Sequence, residues 1–319
     1  MTWQRFDIRR IEDLSNAVFG ARLEATQMAG PPQGSLAFAA GNGIIFSSGR
    51  IASKIALTGT LSDDAVTLAV GLPFAPGSRL FLDRAGSGDV ALIRPGGTLD
   101  AVLSVGSFYL AATLPEELLH QAAARNGLQI GRRMLAETRL IPGQGVDPAL
   151  AALHEDLVHL HRGGRARADR AIGNGPALLR ALLKHCVEHG AAESRLPRLG
   201  HERIVARARN YICANLAEPL PLDQIAAAAG TSRRTLIRAF TDVLEETPAA
   251  YVTRLRLHGV RRALIAEAGT IGTISRIAHR CGMREPGRMS ARYHTLFGEY
   301  PSQTLLAIRQ KRRLGAERC

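Results

Sequence analysis

Short apolar runs separated by turn residues fill the part of the chain from about Gln33 to Leu114. Typical runs are Gly43–Phe46 and Val90–Ile93, and Gly, Pro, Asp and Ser lie between successive runs. Regular turn signals between short apolar segments are typical of antiparallel β structure. This region is therefore predicted to form a β-sandwich or a β-barrel.

A helical pattern replaces the strand pattern after Leu114. Pro115 is followed by Glu116 and Glu117, an order typical of a helix start because proline fits the first turn and acids favour the positive end of the helix dipole. The apolar spacing downstream predicts further helices over Asp147–Arg162, Pro176–His189, His201–Asn215, Leu222–Ala229, Arg233–Val243, Pro248–Ala268, Ile274–Cys281, Gly287–Phe297 and Pro301–Lys311.

The change of pattern predicts an α+β protein with two domains. We expect a β-rich sandwich or barrel domain with added helices over residues 1–190, a linker over 191–200 and an all-α domain over 201–319. Pro197 and Gly200 favour an irregular segment in the linker. A length of 319 residues is typical of two domains.

Residues 222–240 contain a short helix, a glycine turn and a second helix with a basic face. Gly230 is suited to end the first helix in the left-handed conformation, and Ser232 is suited to cap the second. Leu236 and Phe240 form part of the inward face, which leaves the arginines near the helix start outside. A helix-turn-helix unit needs this arrangement, because the start of its second helix faces base edges in the major groove. The residues predicted to contact DNA are Ser232, Arg233, Arg234, Thr235 and Arg238. A helical hairpin with a solvated arginine face is the alternative for this segment alone.

The same pattern recurs about fifty residues later. Ile274–Cys281 forms a second short helix that ends at Gly282, and Met289, Tyr293 and Phe297 follow four residues apart on one stripe. Two chance imitations in one basic domain are improbable, so the repeat favours two helix-turn-helix units over two ordinary hairpins. The residues of the second unit predicted to contact DNA are Arg284, Glu285, Gly287, Arg288 and Arg292.

Positive charge is concentrated in the same region. The whole chain has a formal net charge of +13. Residues 201–319 carry 20 Arg and Lys against 10 Asp and Glu, which contributes +10 of that total. Basic side chains neutralise phosphates and raise the affinity for DNA of any sequence, although a generally basic surface would give the same count.

The segment from about His201 to Ile308 resembles the DNA-binding domain of the AraC/XylS family of regulators. The resemblance covers about a third of the chain and implies seven helices, with two recognition helices that enter successive major-groove segments on one face of DNA. The residues that carry it are Ile225, Ala226, Gly230, Ser232, Thr235, Leu236, Arg238, Phe240, Pro248, Tyr251, Arg256, Leu257, Ala263, Leu264, Ile274, Ile277, Ala278, Gly282, Phe297, Gly298, Pro301 and Ser302.

Four positions depart from the family pattern. Glu246 stands where a glycine usually precedes the Ser/Thr-Pro step, Gly259 interrupts the long linker helix, and Met283 replaces a favoured Phe. Gly287 lies at the start of the second recognition helix and offers no side chain to a base. The second unit is therefore expected to read DNA less specifically than the first.

The N-terminal half resembles the β-rich sensory domain of the same family, so residues 1–190 are expected to bind a small-molecule effector. Arg50 and Lys54 lie in an otherwise apolar segment and are predicted to pair with an anionic effector; an edge strand with solvated cations is the alternative. The first histidine is His120, so no cupin-type metal site is expected, and we expect no cofactor or catalytic residue.

The helices after Pro115 are expected to take part in homodimer formation. Their apolar stripes either pair between chains or pack on the sheet of the same chain; the stripe residues are Leu118, Leu119, Ala122, Leu150, Leu153, Leu157 and Leu160.

We therefore expect a cytoplasmic transcription regulator that binds double-stranded DNA and no membrane, because the chain shows no transmembrane-length apolar run and no signal sequence. Activation is the default expectation, and RNA polymerase is a candidate further partner. One alternative is a DNA-repair alkyl acceptor fused to this domain type, but residues 1–185 lack the cysteines that this chemistry needs. The other is an architectural DNA binder without ligand control. No motif identifies the effector or the operator.

Overall fold

The computed structural model describes residues 2–163, 175–190, 200–267 and 274–316. The chain divides into two compact units, Met1–Leu196 and Pro197–Cys319. Apart from Gly200, the predicted linker at 191–200 lies outside the described residues. None of the helices in the described ranges combines the length and the apolar character that a membrane span requires.

Two antiparallel sheets form the first unit. One has seven strands in the order β1-β3-β4-β11-β6-β9-β12, and the other has five in the order β2-β5-β10-β7-β8. Both sheets are open in the described residues, so the predicted barrel is wrong and the predicted sandwich is confirmed. The strands are β1 Gln4–Ile8, β2 Arg22–Gln27, β3 Gly34–Gly41, β4 Ile44–Ile51, β5 Ile55–Thr60, β6 Val66–Gly71, β7 Arg79–Leu80, β8 Asp83–Arg84, β9 Val90–Ile93, β10 Thr98–Leu103, β11 Phe108–Leu114 and β12 Arg139–Ile141.

The seven-stranded sheet is covered on both faces, as its central strand β11 illustrates. Phe108 and Leu110 of β11 pack into an apolar cluster shared with the helices of this unit. Their neighbours Tyr109 and Ala111 pack into a second cluster that includes residues of both sheets. Successive side chains of a strand point to opposite faces, so a strand buried on both faces has a continuous apolar sequence. This explains why every residue of β11 is buried.

The helices of the first unit pack on the outer face of the seven-stranded sheet. Leu119, Leu150, Leu157 and Leu160 are each at most 1% exposed and belong to the sheet–helix cluster. The stripes considered for pairing between chains therefore pack within the chain. The helices are α1 Glu116–Arg125, α2 Arg132–Leu135, α3 Pro148–His161 and α4 Gly175–Gly190, and a 3-10 helix covers Ile11–Asn16.

The second unit is helical throughout its described residues. Seven helices follow Gly200, as the family resemblance implies. They are α5 His201–Ala214, α6 Leu222–Ala229, α7 Arg233–Leu244, α8 Pro248–Ala266, α9 Ile274–Arg280, α10 Pro286–Phe297 and α11 Pro301–Ala316. Helices α6 and α7 form the first helix-turn-helix unit, and α9 and α10 form the second.

Helix α8 joins the two helix-turn-helix units and packs against both. The Tyr251 ring on α8 meets the Phe240 ring of α7 edge-to-face, with ring centroids 5.6 Å apart. Further along α8, Val260 and Leu264 are fully buried in a cluster that includes Ile277 of α9 and other apolar residues of α10. Helix α8 therefore supplies core residues to each helix-turn-helix unit.

A buried ion pair ties the end of α7 to α8. The guanidinium of Arg254 donates from Nε and Nη2 to the two carboxylate oxygens of Glu246, and the Nε contact is 3.3 Å long. The two side chains are only 8% and 16% exposed, and the guanidinium carbon lies 5.2 Å from the centre of the Tyr251 ring. The structure thus explains one departure from the family pattern, because Glu246 is the partner of a buried arginine.

A second ion pair, with a buried arginine and a half-buried glutamate, repeats this arrangement at the end of α10. Arg261 of α8 donates to Glu299 at 2.7 Å, and the Arg261 side chain is 7% exposed. Its guanidinium carbon lies 4.8 Å from the centre of the Phe297 ring. Thr304 donates to the same Glu299 oxygen at 2.9 Å and lies 2.9 Å from the Tyr293 hydroxyl. The pair is therefore embedded in a hydrogen-bonded network.

Replacing Gly259 with alanine should stabilise the second unit. A Cβ at this position would lie 3.6 Å from the Cys281 sulfur, which is an ordinary van der Waals contact. Alanine is preferred to glycine inside a helix, so Gly259→Ala should raise the free energy of unfolding by about 0.5–1 kcal/mol. Calorimetry on the full chain measures this. Gly230→Ala is the matched control and should destabilise, because Gly230 has a φ of 67°. A lower Tm for Gly259→Ala would contradict the prediction.

Breaking the first buried pair should destabilise the same unit strongly. Glu246→Gln leaves the charge of Arg254 buried without its partner, and the expected cost is about 3 kcal/mol. Glu285→Gln is the control, because Glu285 forms an exposed pair with Arg288, whose loss should cost less than about 1 kcal/mol. Thermal unfolding of both variants, followed by calorimetry, checks the difference. Equal Tm values for the two variants would show that the buried pair contributes no more than a surface pair.

Candidate nucleic-acid interface

The turn of the first helix-turn-helix unit is set by Gly230. This residue has φ 67° and ψ 42°, and the N–H of Gly230 donates to the carbonyl of Ala227 at 3.0 Å. The N–H of Thr231 donates to the carbonyl of Ala226 at 3.0 Å. These two bonds form a Schellman motif, which satisfies the last carbonyls of α6 and needs a left-handed residue. The helix stop predicted at Gly230 is confirmed.

Ser232 and Thr235 hold the start of α7. The Ser232 hydroxyl accepts a hydrogen bond from the Thr235 N–H at 3.2 Å and also lies 2.9 Å from the Thr235 hydroxyl. Thr235 is half-buried, whereas Ser232 is exposed. Two of the residues predicted to contact DNA therefore also fix the helix start that presents the neighbouring arginines.

The outward face of α7 carries three exposed arginines. The side chains of Arg233 and Arg238 are 60% and 77% exposed, and Arg234 is exposed beside them. Arg233 lies 3.3 Å from Asp223, and Arg238 lies 3.9 Å from Asp242. Exposed pairs of this kind are worth at most about 1 kcal/mol, so the arginines can exchange them for contacts with DNA.

Ile237 is a candidate that the sequence analysis missed. It lies between Leu236 and Arg238 and is 39% exposed, although most large apolar side chains of α7 are buried. An apolar side chain on this face is suited to contact the methyl group of thymine. The signal in the sequence was an isoleucine at a position where the helical pattern calls for a polar residue.

The second helix-turn-helix unit repeats the turn geometry of the first, with a longer connection between its two helices. Gly282 has a φ of 76°, its N–H donates to His279 at 2.9 Å, and the N–H of Met283 donates to Ala278 at 2.9 Å. This is again a Schellman motif. Helix α9 ends at Arg280 and α10 begins at Pro286, whereas α6 ends at residue 229 and α7 begins at 233. The second turn is therefore two residues longer.

Helix α10 buries one stripe and exposes the residues predicted to contact DNA. Tyr293 is fully buried and Met289 lies with it in the core. A Cβ at Gly287 would meet no atom within 4 Å, so the surface above it is open. The exposed residues of this helix and of the turn before it are Arg284, Glu285, Gly287, Arg288 and Arg292. The structure brings them together, and their contacts with DNA remain a prediction.

The effector candidates Arg50 and Lys54 lie in different settings. Arg50 is exposed on β4, opposite Ser35 of β3 and Phe108 of β11. Since β4 pairs with a strand on each side, the alternative that Arg50 lies on an edge strand is wrong. Lys54 is half-buried in the connection between β4 and β5. Neither residue lines the cavity of about 40 Å³ between the sheets or the larger one in the second unit.

The charge of Arg50 acts on a buried histidine. His161 is 2% exposed, and its ring nitrogens lie 2.8 Å from the Ser35 hydroxyl and 3.1 Å from the Ser48 hydroxyl. Burial, followed by the charges of Arg5 and Arg50, lowers the pKa of His161 to about 3. The histidine is therefore neutral at physiological pH, under a positive potential from two arginines.

Cysteine and metal-ligand groups do not add a further site within the described residues. Cys186 is fully buried, and burial raises the pKa of its thiol to about 12. Within the ranges that the structure describes, no group of three or more His, Cys, Asp or Glu side chains is placed to hold a metal ion.

Comparison with known proteins gives a family match within the second unit and partial matches to curated regulators. Residues 225–307 match the family model of a helix-turn-helix domain. The XylDLEGF operon transcriptional activator 2 of Pseudomonas putida is 32% identical over 110 residues, which cover 34% of this chain and 68% of that protein. The XylDLEGF operon transcriptional activator 1 of the same species is 26% identical over 221 residues, which cover 68% of this chain and 67% of that protein.

One solved structure is also similar to part of the chain. A probable AraC family transcriptional regulator from Rhodopseudomonas palustris is 31% identical, with 33% of this chain and 97% of that chain covered and a TM-score of 0.32. Among the curated relatives, the chain spans only 39% of the HTH-type transcriptional regulator ArgR of Pseudomonas aeruginosa.

Proposed function

Since the chain belongs to the AraC/XylS family of transcription regulators, we propose that it recognises a specific double-stranded DNA site and activates transcription from a nearby promoter. The observation that carries this proposal is the exposed arginine face of α7, with Arg233 and Arg238 presented on a helix whose start is held by Ser232. Activation is the direction proposed because curated relatives are named transcriptional activators. RNA polymerase is the partner that such an activator would contact.

Base recognition is assigned mainly to α7. A guanidinium can donate two hydrogen bonds to O6 and N7 of guanine, and each such contact contributes about 1–3 kcal/mol of discrimination. The exposed side chain of Ile237 can meet a thymine methyl on the same helix face. Helix α10 offers less to the bases, because Gly287, the second residue of the helix, has no side chain.

Control by a small-molecule effector is assigned to the first unit. An anionic group bound beside Arg5 and Arg50 would offset the two positive charges that act on the buried His161. Arg5 also donates from Nε to the carbonyl of His161 at 2.8 Å, at the end of α3. A ligand there would therefore touch a point where β1, β3, β4 and α3 meet. Regulation by ligand distinguishes this proposal from an architectural DNA binder.

An enzymatic role as an alkyl acceptor is not proposed. That chemistry needs a thiolate in the N-terminal unit, where the sequence has Cys186 alone, and the high pKa of Cys186 keeps its thiol protonated. The buried position of Cys186 also keeps it away from an alkylated base.

We further propose a homodimer that forms through the edge strand β1. Within the described residues, β1 is the end strand of its sheet and pairs only with β3. Phe6 on β1 is 51% exposed, and its ring centroid lies 5.8 Å from that of Phe38. Antiparallel pairing with a second copy about a two-fold axis at Phe6 sets Arg5 of each chain opposite Asp7 of the other. The strand is thus self-complementary in charge.

Removal of either exposed arginine of α7 should weaken specific binding. Arg233→Ala and Arg238→Ala are each expected to lower the affinity for the operator by about 1–3 kcal/mol. The operator is first selected by the wild-type chain from random duplexes, and fluorescence anisotropy then measures the affinities. Arg203→Ala on α5 is the control, because it removes the same charge from a different exposed position. If both α7 variants bind like the wild type, the recognition face is assigned wrongly.

Charge exchange on β1 tests the dimer. Asp7→Arg places arginine opposite Arg5 of the second copy, which should weaken dimerisation roughly tenfold or more, whereas the double change Arg5→Asp with Asp7→Arg should restore it. Analytical ultracentrifugation at micromolar concentration measures the dissociation constants. Asp63→Arg, at an exposed acid elsewhere on the unit, should leave the dimer unchanged. A wild-type monomer at tens of micromolar, or an Asp7→Arg variant that dimerises normally, rules out this interface.

A further inference from the structure

A cavity of about 290 Å³ lies beside α10, on the side of the recognition helix that carries its exposed arginines. Three parts of the second unit line it: the connection between α5 and α6, helix α8, and the turn with helix α10 of the second helix-turn-helix unit. The polar lining residues are Glu218, Thr253, Arg256, Arg284, Arg288 and Arg292, together with Glu285.

Arg256 forms the fixed inner wall of the cavity. Its Nε donates to the carbonyl of Leu216 at 2.9 Å, and its Nη2 donates to the carbonyl of Glu218 at 2.5 Å. A Cβ at Gly282 would lie only 2.8 Å from the Arg256 Nε, so glycine at this turn also gives the guanidinium its space. Burial, followed by the charge of Arg284, lowers the pKa of Arg256. The charge of Arg284 therefore reaches the fixed guanidinium of Arg256 at this wall of the cavity.

The three outer arginines are differently engaged. Arg288 lies 2.9 Å from Glu285 in an exposed pair. Among the described residues, Arg284 and Arg292 have no ion-pair partner. Arg288 and Arg292 lie four residues apart on one side of α10, Arg284 lies in the turn before this helix, and all three line the cavity. Four guanidinium groups against two carboxylates leave an excess of two positive charges.

We propose that this cavity is a socket for a phosphate group of the DNA backbone, so that Arg284 and Arg292 hold the backbone and do not read bases. The proposal rests on the proposed function, since it needs a bound duplex. Tetrahedral phosphate oxygens accept paired hydrogen bonds from guanidinium groups, and several converging arginines match that geometry. The open surface above Gly287 lets the backbone approach the start of α10, where free N–H groups favour an anion.

The two helix-turn-helix units then have different roles in DNA binding. Backbone contacts set the position and orientation of a protein on the duplex and carry no sequence information, whereas base contacts specify the sequence. Helix α7 then specifies the operator, and the socket beside α10 anchors the neighbouring segment. Inorganic phosphate has the same chemistry as the backbone group, so the experiment has to distinguish free phosphate from a DNA phosphate as the occupant of the cavity.

Methylphosphonate substitution tests the socket directly. Each phosphate of the selected operator is replaced in turn by a neutral methylphosphonate, and the full-length protein is titrated against every duplex. For the wild type, one position or two adjacent positions outside the segment read by α7 should lose about tenfold in affinity. The variant with Arg284→Ala and Arg292→Ala should lose nothing further at that position, whereas Arg233→Ala should still lose the same factor.

Salt dependence and sequence preference provide the second readout. In the Arg284→Ala, Arg292→Ala variant, the negative slope of log K against log salt should become shallower by about 1–2, and the ranking of selected sequences should stay that of the wild type. A changed sequence preference with an unchanged slope would show base reading and overturn the proposal. So would phosphonate sensitivity that persists undiminished in this variant.

Inorganic phosphate alone is the control for the other source. Binding of phosphate at millimolar concentration that depends on Arg292, without any phosphonate-sensitive position on DNA, would assign the cavity to a free anion and overturn the socket. Failure of the wild type to bind any duplex would instead overturn the proposed function and the socket with it. A chain that binds its operator specifically but shows no coupling between the arginines and a phosphate overturns the socket alone.

Discussion

Two buried arginines on α8 fix the arrangement of the second unit. Arg254 and Arg261 lie seven residues apart, which is about two helical turns, so they project from similar sides of the same helix. Each pairs with a glutamate that follows a recognition helix: Glu246 after α7 and Glu299 after α10. Both glutamates stand two residues before the proline that begins the next helix. One helix thus holds the ends of both recognition helices by the same chemistry.

The value of these pairs lies in geometry more than in net stability. Removing two charges from water costs several kcal/mol, and their attraction repays this only when the hydrogen bonds are well formed. A misplaced recognition helix would leave a guanidinium buried without its carboxylate, which is strongly unfavourable. The aromatic rings of Tyr251 and Phe297, which lie against the two guanidiniums, add further constraint. Apolar contacts alone tolerate sliding, whereas these pairs select one position for each helix.

The parts of the fold that depend on local chemistry could be predicted from the sequence. Gly230 and Gly282 end their helices because a left-handed residue is needed there, and neighbouring residues alone define that need. The strands β1 and β2 were missed, because each carries two exposed polar residues and gains its place only by pairing with a distant strand. β12 is a three-residue strand and was missed for a similar reason.

In the candidate site, too, the residues identified by local spacing could be predicted, whereas those that depend on distant partners could not. Helical spacing identified the exposed arginines of α7 and α10, since spacing determines which side chains share a face. The role of Glu246 could not be predicted, because its partner Arg254 is eight residues away on another helix and only the bend between the helices brings them together. The contribution of Arg256 was equally hidden, since its carbonyl partners lie about forty residues earlier in the chain.

The two recognition helices are alike in core and unlike in surface. Leu236 and Phe240 on α7 have the same burial as Met289 and Tyr293 on α10, so each recognition helix buries the same two positions. The longer second turn and Gly287 change only what faces outward. In each recognition helix, buried residues fix the position of the helix and exposed residues contact DNA. The exposed residues can therefore differ between the two helix-turn-helix units, so that the first discriminates bases and the second adds affinity through the DNA backbone.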